Sequence, residues 1–455
     1  MTAGTIATFT VLSFLDDAKW LPYSGLSLPV FVLFTAAFLV ILMMLAWTGI
    51  LFFAGRRADR NPPEPGGEDA FEWIYLVPAL NEEVTIRDSV ERLEQIDLPA
   101  KRIVVINDGS DDGTAEVLAG ISNPHLHVIE RKMPDARKGK AAALNHAFAE
   151  IASRWPDLDP DGTIICIVDA DGRISADSPP FVASHFIDPE VGGVQSLVRI
   201  YNRHRVLTWF QDIEFSIYGR LFQAGRNRWG TPGMGGNGQY NRLSALSSID
   251  TSKSDTPASA GSQSLGPWRD RLTEDQDLGL RLIVAGWHMR QENRATVSQQ
   301  GLSNLRRLLR QRTRWSQGNL QAMAMISPIA RSDVPWAPRL ELLLYLLTPV
   351  FQSVVGASLI ASIVLFATGT PVIAQDYLWW LAFIYLLGFG STMLGCIGAR
   401  LEGGFTLVGL LKGLATAQVY AFYSWMLWPV LVRSTARQVF RRDTWAKTAR
   451  EKITS

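Results

Sequence analysis

Asp169-Ala170-Asp171 closes an apolar run at residues 163–168 and sets two carboxylates one residue apart. At a strand end such a pair can hold a divalent cation, Mg2+ or Mn2+, whose remaining positions accept diphosphate oxygens and water. The plainer alternative is a pair of turn-forming Asp residues before Gly172. A second acidic stretch, Asn107-Asp108-Gly109-Ser110-Asp111-Asp112-Gly113-Thr114, also follows an apolar run; its Asp side chains can cap the next helix or accept a hydrogen bond from a base N–H. Its placement beside Val77-Pro78-Ala79-Leu80-Asn81-Glu82 favours a nucleotide pocket over a cap, with Pro78, Ala79, Glu82 and Asp108 on its wall. Thr273-Glu274-Asp275 precedes a helical pattern and suits an N-terminal cap. A carboxylate there, with an ordinary pKa of about 3.9, could also take a proton from an attacking hydroxyl. In Gln311-Arg312-Thr313-Arg314-Trp315, arginine can neutralise a diphosphate and the indole face suits a sugar ring; the alternative is an interfacial helix with an aromatic anchor.

These residues need a scaffold that gathers them. Apolar runs near 73–77, 103–106 and 126–129 alternate with helical patterns after Asn81, after Asp112 and from Gly139, which predicts a mostly parallel sheet covered on both faces. Ligands of such sheets sit beyond the C-terminal strand ends, here residues 78–83, 107–114 and 169–172. Residues 61–68, rich in Pro and Gly, form a linker into this domain. Residues 247–264, rich in Ser, Thr, Asp and Pro, are expected to form a polar insertion. Residues 302–320 interleave apolar positions with Arg306, Arg307, Arg310, Arg312 and Arg314, an amphipathic pattern suited to a membrane surface.

The hydrophobic fraction of 47% averages two kinds of sequence. Residues 30–53 carry no charge and are long enough to cross a bilayer, and residues 342–375, 377–399 and 413–432 are similar blocks. Asp16, Asp17 and Lys19 precede the first span whereas Arg56, Arg57 and Arg60 follow it, so the chain is expected to enter from outside and carry its polar middle on the cytoplasmic face of the plasma membrane. The expected division is 1–55 with the first span, 56–70 linker, 71–300 catalytic domain, 301–338 interfacial region, 339–432 membrane region and 433–455 basic tail. The tail's seven basic residues against Asp443 and Glu451 place it in the cytoplasm, which three full C-terminal spans would not allow. Residues 342–375, with Pro349, are therefore expected to be broken or re-entrant. Cys166 and Cys396 are too few for a disulfide framework or cysteine metal site, and a net charge of +1 argues against nucleic-acid binding.

Taken in order, the four motifs resemble glycosyltransferase family 2, and within it the processive membrane synthases of cellulose, chitin, hyaluronan and poly-N-acetylglucosamine; the resemblance covers residues 70–320. Gln-x-x-Arg-Trp downstream of Asp-x-Asp and Thr-Glu-Asp carries most of it. It implies a GT-A-type α/β domain inserted between transmembrane helices, a nucleotide-sugar donor (a UDP-sugar by default), a carbohydrate acceptor and contact with membrane lipid, with an export partner or homo-oligomer left open. By the same resemblance Asp108 binds the base, Lys140 lies near the donor, Asp169 and Asp171 serve diphosphate and metal, and Asp275 is the general base. Arg314 is assigned to the donor, and Gly236, Asn237, Glu274, Gln311 and Trp315 to the acceptor. The loop Gly235-Gly236-Asn237-Gly238-Gln239-Tyr240 departs from the family's usual Cys-containing or Gly-Thr-Gly-like turn, and the insertion near 250–263 separates it from Asp275. The implied reaction is inverting transfer to a growing, exported polysaccharide. Alternatives are a nonprocessive transferase to a lipid or lipid-phosphate acceptor, and then a transporter or noncatalytic scaffold.

Overall fold

A computed structural model describes residues 26–253, 265–369, 379–401 and 404–440; most of the polar insertion and the distal basic tail lie outside these. The chain divides into two compact units. One comprises Leu51–Leu346 with the chain from Gly395 onward, and the other joins the chain up to Ile50 with Leu347–Leu394.

The first unit is built on an eight-stranded sheet: β1 Glu72–Ala79, β2 Lys101–Asn107, β3 Leu126–Glu130, β4 Thr163–Ile167, β5 Arg173–Ile174, β6 Val191–Ile200, β7 Gln239–Arg242 and β8 His288–Gln299, in the order β3-β2-β1-β4-β7-β6-β8-β5. β3-β2-β1-β4 are parallel, as the apolar runs predict; β7 is antiparallel to both β4 and β6, β8 is parallel to β6, and β5 is antiparallel to β8. Alternation along β1 and β2 explains the double cover. Ile74, Leu76, Val104 and Ile106 pack with Ala143, Leu144, Ala147 and Ile151 of the Lys140–Arg154 helix. Trp73, Tyr75, Val77, Ile103 and Val105 pack on the other face with Ile86, Val90 and Leu93 of the Ile86–Glu94 helix.

Two helices flanking the α/β domain, Leu28–Arg60 and Trp336–Ala367, are long and apolar enough to cross a membrane. The expected break at Pro349 is absent: Trp336–Ala367 runs through it as one helix. Proline removes a single N–H from the ladder, and Ser353 Oγ donates to Pro349 O at 2.8 Å within the same stretch. Helices Trp379–Arg400, Leu407–Met426 and Trp428–Val439 complete the described chain, the last crossing the position where the basic tail was expected to begin.

Candidate active site

Pro78 and Ala79 end β1 opposite Ile106 and Asn107 of β2, so the loops leaving both strands lie side by side. They are laced reciprocally. Asn81 N–H donates to Ser110 Oγ at 2.9 Å, Asn81 Nδ2 to Asp111 Oδ1 at 2.6 Å, and Glu82 N–H to Thr114 Oγ1 at 2.8 Å. Glu83 N–H donates to Asp112 Oδ2 at 3.2 Å, while Glu83 Oε2 accepts from Gly113 N–H at 2.9 Å. Asp111 and Asp112 therefore build the loops, whereas Asp108 faces the next turn of chain. It is buried, forms an ion pair with buried Arg131, and accepts the Arg137 N–H at 3.1 Å. Burial pushes its carboxyl above the usual range while these donors oppose the shift. Arg137 closes the turn by donating to Gly109 O at 2.8 and 2.6 Å.

The second group of residues is drawn together by Lys140, the first residue of its helix. Its Nζ donates to Asp169 Oδ1 at 2.7 Å and Gly236 O at 3.1 Å and lies 4.0 Å from Glu274 Oε1. Asn237 Oδ1 accepts Asp169 N–H at 3.1 Å, and a Cβ on Gly172 would meet that same oxygen at 2.6 Å, so the turn after Asp171 tolerates no larger residue. Gly236 adopts φ +73°, and a Cβ there would meet Asp275 Oδ2 at 2.7 Å. Gln195 of β6 fixes the loop from beneath, accepting Gly235 N–H at 2.8 Å and donating to Asn237 O at 2.8 Å. Asp275 lies in the first turn of the Glu274–Val284 helix, where the dipole favours an anion. Burial and then the Glu274 charge nevertheless push its carboxyl up to about 7, against the pull of Lys140 and Arg314. Asp171 is buried beside this cluster.

Arg314 reaches the cluster from the Leu305–Ala322 helix, which is capped by the Asn304 side chain accepting Arg307 N–H at 3.2 Å. Its Nε is buried without a hydrogen-bond partner among the described residues. Gly318, one turn further along, permits the approach, since a Cβ there would collide with the Thr273 side chain. Gln311 accepts from Arg312 Nη1 at 3.1 Å. Arg312 also donates to Glu214 at 2.7 Å and lies 4.1 Å over the Trp315 ring, which meets Phe215 edge-on at 6.0 Å. The structure thus gathers Lys140, Asp169, Gly236, Asn237, Glu274, Asp275 and Arg314, places Asp108 with Pro78 and Ala79 at the neighbouring strand ends, and holds Trp315 under Arg312. Sequence reasoning missed Arg131, Arg137, Gln195 and Gly318; a glycine inside a helical pattern was the one visible signal.

Two carboxylates spaced as Asp169 and Asp171 are a hard oxygen donor set that fits Mg2+ or Mn2+ only with outside oxygens completing the shell. Among the described residues no group of three or more His, Cys, Asp or Glu side chains could hold an ion alone.

Residues 74–318, just over half of the chain, match the family described as Glycosyltransferase like family 2. The chain is 27% identical over 254 residues to a poly-beta-1,6-N-acetyl-D-glucosamine synthase of Staphylococcus epidermidis, covering 55% of each chain. It is 28% identical over 283 residues to a beta-monoglucosyldiacylglycerol synthase of Synechocystis, covering 60% of this chain and 53% of that one. The chain therefore spans about half the length of the curated relatives it matches. A mannosyltransferase from Pyrobaculum calidifontis, solved in complex with GDP-Man and Mn2+, shares the fold at TM-score 0.57 and 18% identity over 91% of this chain and 98% of that one.

Proposed function

From its membership of glycosyltransferase family 2, to which this chain belongs, we propose that it transfers a sugar from a nucleotide diphosphate donor, a UDP-sugar first, to the hydroxyl end of a growing polysaccharide with inversion. The observation that supports this best is Lys140, whose Nζ ties Asp169, Gly236 O and Glu274 into one cluster beside Asp275. Asp108 and the laced loops offer the nucleotide an acceptor and a shaped wall. Asp169 and Asp171 would hold a Mg2+ or Mn2+ ion, which supplies charge compensation for the diphosphate. Lys140 and Arg314 add positive charge where the leaving diphosphate gains negative charge, the arrangement that lowers a transfer barrier most. Asp275 takes the acceptor proton; a base with a pKa of about 7 is ionised enough to act and basic enough to pull. Gly236, without a Cβ, leaves the acceptor oxygen room beside that carboxylate.

Purified protein in detergent, incubated with UDP-N-acetylglucosamine, UDP-glucose or GDP-mannose plus Mg2+ or Mn2+, should release nucleotide diphosphate and form a sized polymer from one of them. Absence of turnover with every donor would sink the proposal. The similarity to a glucosyldiacylglycerol synthase supports a second reading, single transfer to a diacylglycerol; a glycolipid of one added sugar in place of polymer would select it.

The helices also support a membrane topology with the catalytic domain cytoplasmic. The Leu407–Met426 helix follows Leu401, whose carbonyl accepts from Arg56 at 2.7 Å, and near its other end Tyr423 donates to Glu214 at 2.7 Å. The next helix docks on Leu305–Ala322 through Ser316–Ser434 at 2.7 Å and Arg437–Gln317 at 3.0 Å. The Tyr423–Glu214 bond and the docking of the next helix favour a Leu407–Met426 helix that lies against the catalytic domain rather than crossing the bilayer, and with it a basic tail on the catalytic side. A single cysteine, Thr448→Cys with Cys166 and Cys396 replaced, should resist an impermeant thiol reagent in intact cells until lysis; immediate labelling would overturn this topology.

A further inference from the structure

We propose that Glu341, through its buried pair with Arg226, is a positioning residue for the transfer step: it fastens the Gly233–Gly236 loop and the Glu274–Val284 helix to one point and so sets where Asp275 stands. This role rests on the transferase reading above. Glu341 is the sole acidic residue of the Trp336–Ala367 helix and lies near its start, within the unit that carries the sheet. An ionisable residue on so apolar a helix calls for a functional account.

Stability does not supply that account. Arg226 and Glu341 are 1% and 2% exposed, and Arg226 Nε lies 2.8 Å from Glu341 Oε1, close enough for charge pairing but without the alignment of a hydrogen bond. Taking two charges out of water offsets most of what their attraction returns, and packed apolar residues of similar volume serve stability as well or better. What the pair does provide is a fixed point.

Two connections run from that point to Asp275. Along the first, Thr231 Oγ1 donates to Glu341 Oε2 at 2.6 Å and Gly233 N–H donates to Gln223 Oε1 at 2.6 Å; the loop then continues to Gly236, where a Cβ would meet Asp275 Oδ2 at 2.7 Å. Along the second, Arg226 lies 4.1 Å over the ring of Tyr345, one helical turn after Glu341, and Tyr345 Oη accepts from Gln276 Nε2 at 3.0 Å. The Gln276 N–H in turn donates to Asp275 Oδ1 at 2.8 Å. Each oxygen of the proposed base is thus referred to the same buried pair, one through the loop it faces and the other through the residue that follows it. A reacting group misplaced by about 1 Å can lose about 10²-fold in rate, so a rigid reference of this kind bears on turnover more than on donor binding.

Single replacements of Glu341 or Arg226 leave the partner charge buried and alone, so the decisive variant replaces both, Arg226→Met with Glu341→Met, which removes the charges and keeps apolar bulk. Its kcat and KM are measured in detergent with whichever of UDP-N-acetylglucosamine, UDP-glucose or GDP-mannose the wild type turns over, and the Kd of the matching nucleoside diphosphate is the control for folding. The expected result is a kcat at least tenfold below wild type with KM and Kd within threefold of it. A kcat equal to wild type overturns the positioning role and spares the transferase reading, and so does a change confined to KM. If the double variant no longer binds nucleotide, Tyr345→Phe decides, since it removes only the oxygen that holds Gln276: a kcat at least threefold lower at unchanged KM sustains the role, and a kcat equal to wild type overturns it. Wild-type protein that turns over none of the three donors removes the transferase reading, and the positioning role with it.

Discussion

Asp108 and Asp275 are both carboxylates that burial pushes above their ordinary pKa, and their surroundings then diverge. Asp108 has Arg131 as an ion-pair partner and the Arg137 N–H as a donor, and its neighbours oppose the shift. Asp275 has Glu274 immediately before it, a like charge that adds to the cost of burial, and is relieved by Lys140 and Arg314 from other elements. A compensated buried carboxylate suits recognition and shape, whereas one left poised near neutrality suits proton transfer. The difference originates in chain connectivity. The cations near Asp108 arrive on the turn directly after β3, while those near Asp275 come from distant helices that the fold must first assemble.

The largest effect that would sharpen this contrast is Asp275→Asn. Losing the base should lower turnover by about 10²–10⁴-fold while the Kd for UDP stays within a few-fold; turnover near wild type would break the contrast. Asp169→Ala and Asp171→Ala should come next, removing the Mg2+- or Mn2+-dependent part of donor affinity measured by calorimetry. Unchanged affinity with metal present would place the ion elsewhere. Asp108→Asn acts on stability as well as binding, because it leaves Arg131 buried without its counter-charge. A loss of about 3 kcal/mol or more in denaturant unfolding is expected, together with weaker UDP binding. Gly318→Ala should reduce turnover by pushing the Arg314 helix off Thr273, with a smaller stability change of about 1–3 kcal/mol from overpacking; full activity would show that the approach of the two helices is not needed.

The smallest effect concerns the sign of the Asp275 contribution to stability. Its folded pKa of about 7 lies above the ordinary value of 3.8, so its contribution is fully present below the ordinary value and is lost as pH rises through about 7. Ligand-free Asp275→Asn should accordingly match wild type near pH 4 and exceed it at pH 8, by on the order of 1–3 kcal/mol. Equal stability at both pH values would show that the carboxylate is not under strain.

The β3-β2-β1-β4 half of the fold was readable because β1, β2 and β4 are continuous apolar runs buried on both faces. The other half was not. β7 reads Gln-Tyr-Asn-Arg and β8 carries Arg290, Gln291, Glu292, Asn293 and Arg294, a pattern that resembles a surface segment. Polar residues of β8 are tolerated inside because they pair: Glu292 with His185 at 3.0 Å and Arg294 at 2.7 Å, and Gln291 with Asn293 at 3.2 Å. The site motifs were legible because their carboxylates fall at strand and helix ends. What periodicity could not convey was which cation meets which carboxylate, since Arg131 reaches Asp108 from the end of the neighbouring strand and Lys140 and Arg314 act on theirs from separate helices. The Pro349 expectation failed for a related reason: a single missing N–H does not stop an apolar helix that other turns sustain.

The pH dependence of kcat/KM for the donor, which reports the free enzyme, tests most directly whether Asp275 is the poised base. In wild type the rate should fall about tenfold per pH unit below a break near 7, and Glu274→Gln, by removing the neighbouring like charge, should move that break to lower pH. A profile flat from pH 5 to 8, or a break that stays in place in Glu274→Gln, would contradict the account.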